Sequence, residues 1–406
     1  MENRIWKRLV LLGIVLALSF TGAACDDDDD DDSPAPQVFE EGNNVPVTSE
    51  RMLDRYDFTM AIQSGEPFLT LVQSVDDTER TLVVSNRGES SLSGTYETSA
   101  GEDGTQRLVT INGGSAFLLT ATNYWNEGTL DDFSIFVEED IVFQEDSPGP
   151  QDNLPVQGEF TLRYGVNVVR VVFLEDDSGV PGAHMSLDGG GEDFLPVDEF
   201  DDLPFDNVLV WQQKAALGFL VLEFLAEQVM LSARTALIIE ASETVLEQNG
   251  AITFACDTFP ADAVLDPDAA EPSLTLTWID SVEDGQIGTG DAFKLDFVSC
   301  WANDEGMLID DLIDGQVDLL GYVRVVEPRD GGEVLTQFGF DPGDEATAGV
   351  VFIDLTHTEI EEDDDGVPVA DPEETYTING GYSILFTEPA AIQEEQLVEE
   401  TQAIKQ

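Results

Sequence analysis

The chain has 406 residues, with 84 Asp or Glu against 16 Lys or Arg, and a formal net charge of −68 at pH 7. This excess of acids argues against binding to nucleic acid, which needs basic surfaces that face phosphates, and against binding to anionic lipid surfaces. Hydrophobic residues make up 42% of the chain, which is enough for folded domains and argues against wholesale disorder.

The N-terminus has the three parts of a secretory signal peptide. Basic residues within the first eight positions precede an apolar run from Leu9 to Phe20, and small residues then lead to Cys25. The apolar run is shorter than the roughly 20 residues that a membrane-spanning helix needs. The sequence therefore predicts export with removal of residues 1–24, and an uncleaved anchor is the alternative.

The end of this signal carries a second motif. Gly22-Ala23-Ala24-Cys25 resembles the lipobox of bacterial lipoproteins, although the family usually has Leu where this chain has Gly22. The resemblance implies cleavage before Cys25 and a diacylglyceryl group on its thiol, and two or three acyl chains anchor a protein stably. We therefore expect an exported protein held by lipid in the bacterial cell envelope, in the outer membrane rather than the inner, with the leaflet left open.

A charged segment follows the lipidation cysteine. Seven aspartates, Asp26 to Asp32, are followed by Ser33-Pro34-Ala35-Pro36. Like charges repel and proline stiffens the chain, so residues 25–44 are predicted to be a lipidated, extended tether. A calcium-binding tail is the alternative, but consecutive carboxylates without turn-forming residues make a poor cage for the ion.

The two other cysteines form an even pair in an exported chain. Cys256 and Cys300 are predicted to form a disulfide, because exported proteins fold in an oxidising compartment. Two free buried thiols are the alternative.

Short β segments separated by turn residues make up most of the chain on both sides of a helical segment. Apolar, β-branched runs of strand length occur from about Val45 to Phe200 and again from Ala251 to Phe386. The fold class is therefore predicted as mainly β (α+β), with two antiparallel β-sandwich or barrel-like domains separated by a buried helical segment. The predicted boundaries are 45–203 for the N-terminal β domain, 204–250 for the helical segment, 251–389 for the C-terminal β domain, and 390–406 for a tail.

The helical segment repeats apolar residues at helical spacing from Val208 to Leu246. Asp206 or Asn207 is a candidate N-cap and Asn249-Gly250 a stop signal. Ala215 to Leu222 is apolar on every face, which predicts burial on all sides or an apolar partner. The charged residues argue against a transmembrane helix, because they limit the longest uncharged apolar run to eight residues. One unbroken helix would be roughly 60 Å long, so we expect a break near residues 232–235 and two packed helices.

One short sequence occurs in both β regions. Thr110-Ile-Asn-Gly-Gly114 matches Thr377-Ile-Asn-Gly-Gly381. Asn-Gly between apolar segments is a strong hairpin signal, so turn chemistry alone explains the match, and duplication of a β domain is the alternative.

The best candidate site for chemistry is the acidic loop, residues 280–291. Compared with the twelve-residue calcium loop, it places Asp280 at position 1, Asp284 at 5, Gln286 at 7 for a backbone carbonyl, and Asp291 at 12. The loop departs from that pattern in having Val282 at position 3 and strands on both sides. The sequence thus predicts either a calcium site at Asp280, Asp284, Gln286 and Asp291, or a solvated acidic hairpin loop.

The region around this loop also carries a resemblance. A cysteine, a strand ending in Trp278, the Asp-Gly-rich loop, a strand ending in Cys300 and a following Gly-initiated strand resemble uncharacterised acidic envelope lipoproteins of Gram-negative bacteria. The resemblance spans residues 256–325 and implies no activity.

Motifs of catalysis are mostly absent, and no catalytic residue is predicted. The chain has only His184 and His357, and it lacks zinc-protease, nucleophile-elbow and phosphate-loop motifs. We therefore expect a structural or binding role, with calcium as the candidate stabilising ion and an unknown protein or glycan as partner. The alternatives are a carrier of an apolar ligand, suggested by the apolar helix, and a carboxylate-based hydrolase.

Overall fold

The computed structural model describes most of the chain between Arg55 and Pro389. Outside the described residues lie 1–54 and 390–406, and within the range the gaps 63–66, 76–77, 87–90, 101–104, 125–129, 147–154, 176–180, 192, 197–208, 256–272, 304–309, 330–331, 344–346 and 363–367. The predicted signal peptide, Cys25, the tether, Cys256 and the tail therefore lie outside the described residues.

The described residues form nineteen strands and one helix. Eleven strands precede the helix, namely β1 Arg55–Ile62, β2 Leu69–Val75, β3 Thr78–Asn86, β4 Leu92–Ala100, β5 Thr105–Ile111, β6 Ala116–Thr122, β7 Leu130–Asp146, β8 Pro155–Tyr164, β9 Asn167–Glu175, β10 Pro181–Leu187 and β11 Asp193–Pro196. After the helix α1 Val210–Asn249 come β12 Ala251–Ala255, β13 Ser273–Ile279, β14 Ala292–Asn303, β15 Asp310–Leu319, β16 Tyr322–Arg329, β17 Gly332–Phe340, β18 Val350–Glu362 and β19 Pro368–Thr387.

All nineteen strands belong to one antiparallel sheet. Two long strands organise it, since β7 pairs with β6 along its first half and with β5 along its second, while β19 pairs first with β2 and then with β1. The pairings β1–β4, β4–β5, β2–β3 and β3–β6 complete a closed circuit of eight strands. Strands β8 to β11 extend the sheet from the free edge of β7, and β12 to β18 extend it from β19.

The prediction of a mainly β protein with a buried helical segment is confirmed. The two β regions meet directly, because β1 and β2, near the start of the described chain, pair with β19 at its end. The sequence predicts one strand over residues 315–325, but a turn at Leu320-Gly321 separates β15 from β16. Gly321 has φ of +60°, which favours glycine at such a turn. The predicted domain boundaries stay predictions.

The helix α1 is continuous over 40 residues, so the predicted break near residues 232–235 is wrong. Every residue from Gln213 to Ala233 is buried, which confirms the expectation for the apolar stretch Ala215 to Leu222. The helix ends at Asn249 as predicted, with Gly250 in the left-handed conformation. It begins after Leu209, and the predicted caps Asp206 and Asn207 lie outside the described residues.

The helix stays unbroken because both β regions pack on it in succession. Near its start, a Cβ atom at Gly218 would approach Ile135 and Leu162 to 3.1 and 3.2 Å, which shows how closely the helix lies on β7 and β8. Phe219 packs against Phe143 and Phe173, with ring centroids 6.5 and 5.4 Å apart. The length argument from the sequence failed because it assumed that a single compact domain surrounds the helix.

The second half of the helix packs on the C-terminal β region. Ser232 Oγ lies 2.9 Å from the Tyr382 hydroxyl on β19, and the Tyr322 hydroxyl on β16 donates to Glu240 at 2.8 Å. Burial raises the pKa of Tyr382 well above its usual value, while its hydrogen bond with Ser232 acts in the opposite direction. The neutral phenol is therefore the form that fits this core.

Among the described residues, α1 alone is long and apolar enough to cross a membrane by length and composition. Its most apolar 18-residue window has a mean hydropathy of 1.6, and all of that window is buried inside the protein. The side chains that surround it are those of the sheet.

A close approach between strands explains Gly94 in β4, and gives a stability prediction. A Cβ atom at this position would lie 1.7 Å from the carbonyl oxygen of Thr110 and 2.7 Å from the ring of Phe58. We expect Gly94→Ala to lower the free energy of unfolding by about 3 kcal/mol or more, because the backbone of β5 must shift. Urea unfolding measures this, with Gly191→Ala as the control, since no atom lies within 4 Å of a Cβ there. Equal stability of the two variants would contradict the close packing of β4.

Candidate functional site

The acidic loop is a hairpin connection between β13 and β14, and Asp291 closes its base. Its side chain is fully buried. One carboxylate oxygen accepts hydrogen bonds from Trp278 Nε1 at 3.0 Å and Gly288 N at 3.1 Å, and the other accepts from Ser281 N at 3.0 Å. Asp291 therefore ties the end of β13 and two points of the loop to the start of β14.

Asp280 and Asp284 shape the exposed half of the loop. The Asp280 carboxylate accepts hydrogen bonds from Asp284 N at 3.3 Å and Gly285 N at 2.8 Å. The Asp284 carboxylate in turn accepts a hydrogen bond from the backbone N–H of Gln286 at 3.0 Å. Glu283 and Gly285 have positive φ angles, as expected where a short polar segment reverses direction. These carboxylates replace backbone acceptors in successive tight turns.

The predicted metal ligands divide between these two places. Asp280, Asp284 and Gln286 lie together in the exposed turn, whereas Asp291 is buried beneath it. Within the part of the chain that the structure describes, no group of three or more His, Cys, Asp or Glu side chains could hold a metal ion. The geometry fits the hairpin-loop alternative, and the calcium site stays a prediction.

The loop is attached to α1 and to β16 on its inner side. The buried residue Ile287 donates its backbone N–H to Glu247 near the end of α1, at 3.0 Å. Gly290 N donates to the carbonyl of Tyr322, and Tyr322 N donates to the carbonyl of Asp291, each at 2.8 Å. The end of the helix thus fixes the position of the loop.

Three acids on one face of α1, Glu240, Glu243 and Glu247, form a seam between the helix, β16 and the acidic loop. Glu240 and Glu243 both pair with Arg324 on β16, at 2.6 and 3.2 Å, and Glu247 is one turn further on. Burial disfavours the charge of Arg324, but the two carboxylates outweigh it and raise the pKa of its guanidinium. Burial and the nearby Glu240 carboxylate also raise the pKa of Tyr322. The sequence analysis missed this seam, although the i, i+3, i+7 spacing of the three acids marks one helix face.

A second polar group, also missed, lies on the inner face of the sheet. Gln73 on β2, Tyr376 on β19 and His357 on β18 are neighbours across three strands, and all three are buried. Gln73 Nε2 donates to the Tyr376 hydroxyl at 3.1 Å. Only strand register brings these residues together, so no local sequence pattern predicts them.

Cys300 is buried on β14, with Ile313 of β15 as its cross-strand neighbour. Its predicted partner Cys256 lies outside the described residues, and the pairing stays a prediction.

Comparisons with known proteins give no relative from which a role could be transferred. No protein-family model matches the chain, and no curated protein or solved structure is significantly similar to it. Function must therefore be argued from the residues themselves.

Proposed function

We propose that this chain is a lipid-anchored protein of the bacterial cell envelope with a structural or binding role. The observation that carries the proposal is the N-terminal sequence, in which a basic start, an apolar run and Gly22-Ala23-Ala24 lead to Cys25. Twenty-nine residues, 26–54, then separate Cys25 from β1, which is enough chain to hold the folded part away from the headgroups. The outer membrane is the proposed location.

The packing of the helix supports a structural or binding role over a carrier. A carrier of apolar ligands needs an apolar cavity, and the helix segment Ala215 to Ala226 was the candidate wall of one. Gly218 instead lies in close contact with β7 and β8, and Phe219 packs between Phe143 and Phe173. At these positions sheet side chains occupy the space that a ligand would need.

The partners of two buried carboxylates support a structural or binding role over that of a hydrolase. Glu388, which is 3% exposed, pairs with the guanidinium of Arg329 at 2.5 Å through one oxygen and 3.0 Å through the other. Asp291 accepts three hydrogen bonds, one from Trp278 at the end of β13 and two from backbone amides of its own loop. Both groups have structural partners, and neither is placed as an acid or base that faces a substrate.

Calcium and the disulfide enter the proposal as stabilising elements of the C-terminal β region. A disulfide between Cys256 and Cys300 would close a loop of 45 residues, worth roughly 4 kcal/mol in the chain-entropy model. The strand β13, the acidic loop and β14 as far as Cys300 lie between these cysteines in the sequence. Loss of the disulfide or of a bound ion is therefore expected to affect the same region.

The anchor is tested by changing its attachment point. We expect Cys25→Ser to move the protein from the membrane fraction to the soluble fraction of the envelope, because the acyl chains have no other thiol near the cleavage point. Cell fractionation and the mass of the mature N-terminal peptide measure this, with Ser33→Ala in the tether as the control. Unchanged membrane association of Cys25→Ser, or an N-terminal peptide without acyl mass, would contradict the anchor.

A further inference from the structure

An apolar surface lies on the outer face of the sheet beside the acidic loop, and we call it the loop patch. Its members are Ile279 at the end of β13, Val282 in the loop, and Val323 and Val325 on β16. Ile279, Val282 and Val325 are 47%, 51% and 38% exposed, and Val323 is half-buried. Clusters of exposed apolar side chains commonly mark interaction sites.

The alternation of side chains along β16 places its two valines on the face opposite to α1. Tyr322 and Arg324 point inward, because both side chains contact carboxylates of the helix. Val326, the next residue of this inner row, packs against the core. Successive side chains of a strand point to opposite faces, so Val323 and Val325 point outward.

The other two members flank the start of β14. Trp278 packs against the core, so Ile279, the next residue of β13, faces outward beside its cross-strand neighbour Ala292. A Cβ atom at Gly290 would lie 3.4 Å from Cγ1 of Val282. Gly290 is two residues before Ala292 in the chain, so the side chains of Ile279 and Val282 lie at the same corner of the sheet.

Hydrogen bonds join this corner to β16. Gly290 N donates to the carbonyl of Tyr322 at 2.8 Å. Thr289 Oγ1 donates to the carbonyl of Arg324 at 2.9 Å and accepts from Arg324 N at 3.0 Å. The loop therefore lies along the outer edge of β16, and these bonds hold the loop members of the patch next to its strand members.

The loop presents its valine in a fixed conformation. The Asp280 and Asp284 carboxylates accept hydrogen bonds from backbone N–H groups of the exposed turn. On the inner side, Ile287 N donates to Glu247 of α1. A surface that is already ordered loses little conformational entropy when a partner binds, which favours docking at this loop.

Charge selects the kind of partner that fits the loop patch. Glu283 and Asp284 are exposed in the loop directly after its valine, and Glu327 is exposed on β16. Lys294 on the outer face of β14 is already paired with Asp296, at 2.6 Å. A second copy of this chain would bring like charges together, which opposes association of two chains of net charge −68. An apolar surface with an acidic rim is complementary to an apolar surface with a basic rim.

We propose that the loop patch is the docking site for a partner protein whose contact surface is apolar and bordered by Lys or Arg. This inference rests on the binding role in the proposed function, but it does not depend on the lipid anchor. The two can fail separately, because a wrong anchor is seen in cell fractionation and a wrong docking site is seen in the contacts made at the patch.

Site-specific photo-crosslinking of the full-length chain in its own cells tests the proposal. The photoreactive amino acid p-benzoylphenylalanine replaces Val282 in one strain and Val166 in another. Val166 is the matched control, because it is a valine that is 94% exposed and lies in the turn between β8 and β9, outside the patch. We expect one protein adduct at position 282 and none at 166, and peptide mapping should place the crosslink in an apolar segment with flanking Lys or Arg.

A charge variant separates docking from chance proximity. The crosslinker at Val325, on β16, should capture the same partner as the crosslinker in the loop. Combined with it, Glu283→Lys should reduce the adduct about threefold or more, because it reverses a charge in the acidic rim. Glu139→Lys is the control, since it reverses an exposed charge on β7, outside the patch, and should leave the adduct unchanged.

Circular dichroism and the melting temperature check that each variant folds. A lipid adduct, an adduct with a second copy of this chain, equal adducts at 282 and 166, or no adduct at 282 would each overturn the proposal. A mapped segment without Lys or Arg, or equal effects of the two Lys variants, would overturn it as well.

Discussion

Ser232→Pro is expected to prevent folding or to lower the free energy of unfolding by about 3 kcal/mol or more. Proline lacks the backbone N–H, and its ring clashes with the carbonyl one turn earlier in a continuous helix. Ser232 lies in the middle of α1, where the residues from Gln213 to Ala233 are all buried. If the helix ended near this position, as its length suggested, proline would be tolerated.

Two control variants isolate the effect of the helix. Ser232→Ala removes only the hydroxyl that contacts Tyr382 and should cost about 1 kcal/mol. Val210→Pro places proline at the first helical residue, where it is tolerated, and the preceding Leu209 already has the extended conformation that proline requires, with φ −67° and ψ 139°. Chemical unfolding of the three variants provides the measurement. Equal stability of Ser232→Pro and Val210→Pro would contradict an unbroken helix.

Asp291→Ala is expected to destabilise the protein by about 3 kcal/mol, because it leaves three hydrogen-bond donors without an acceptor beneath the acidic loop. The donors are Trp278 Nε1, Ser281 N and Gly288 N. Asp284→Ala is the matched control, since its exposed carboxylate accepts one bond, from Gln286 N, and should cost less than about 1 kcal/mol.

Melting each variant in calcium and in chelator separates the structural role of the loop from ion binding. The groups that donate hydrogen bonds to Asp291 belong to the protein and do not depend on a bound ion. Asp291→Ala should therefore lower the stability of the protein by the same amount in calcium and in chelator. If the wild-type chain binds calcium through Asp280, Asp284 and Asp291, chelator will lower its melting temperature and Asp284→Asn will remove that difference. Identical wild-type melting in both conditions would exclude calcium stabilisation. A cost of Asp291→Ala that appears only in calcium would contradict the structural role.

Local sequence patterns were sufficient for most of the secondary structure. Apolar, β-branched runs of strand length identified strands, since the run predicted from Ala116 to Thr120 lies within the strand Ala116–Thr122. Asn249-Gly250 identified the end of the helix. Local sequence patterns could not predict which strands pair over long distances in the sequence. The contact of β1 with β19 joins residues more than 300 positions apart, and no local rule encodes it.

The sequence located the acidic loop, but it could not show the hydrogen bonds that hold the loop. The spacing of Asp280, Asp284 and Asp291 suggested convergence on one ion, because sequence shows carboxylates and not what they bond to. The structure shows that backbone amides of the loop occupy oxygens of all three. The unbroken helix escaped prediction for a similar reason, since the sequence does not show that two β regions share it.

Hydrogen exchange of the backbone amides tests most directly whether the two β regions and α1 form one folded unit. Helix amides from Gln213 to Leu246 should exchange at one slow rate, shared with the paired strands β1 and β19, because they become accessible only when the whole sheet opens. Fast exchange confined to residues 232–235, or separate exchange rates for the two halves of the helix, would contradict this account.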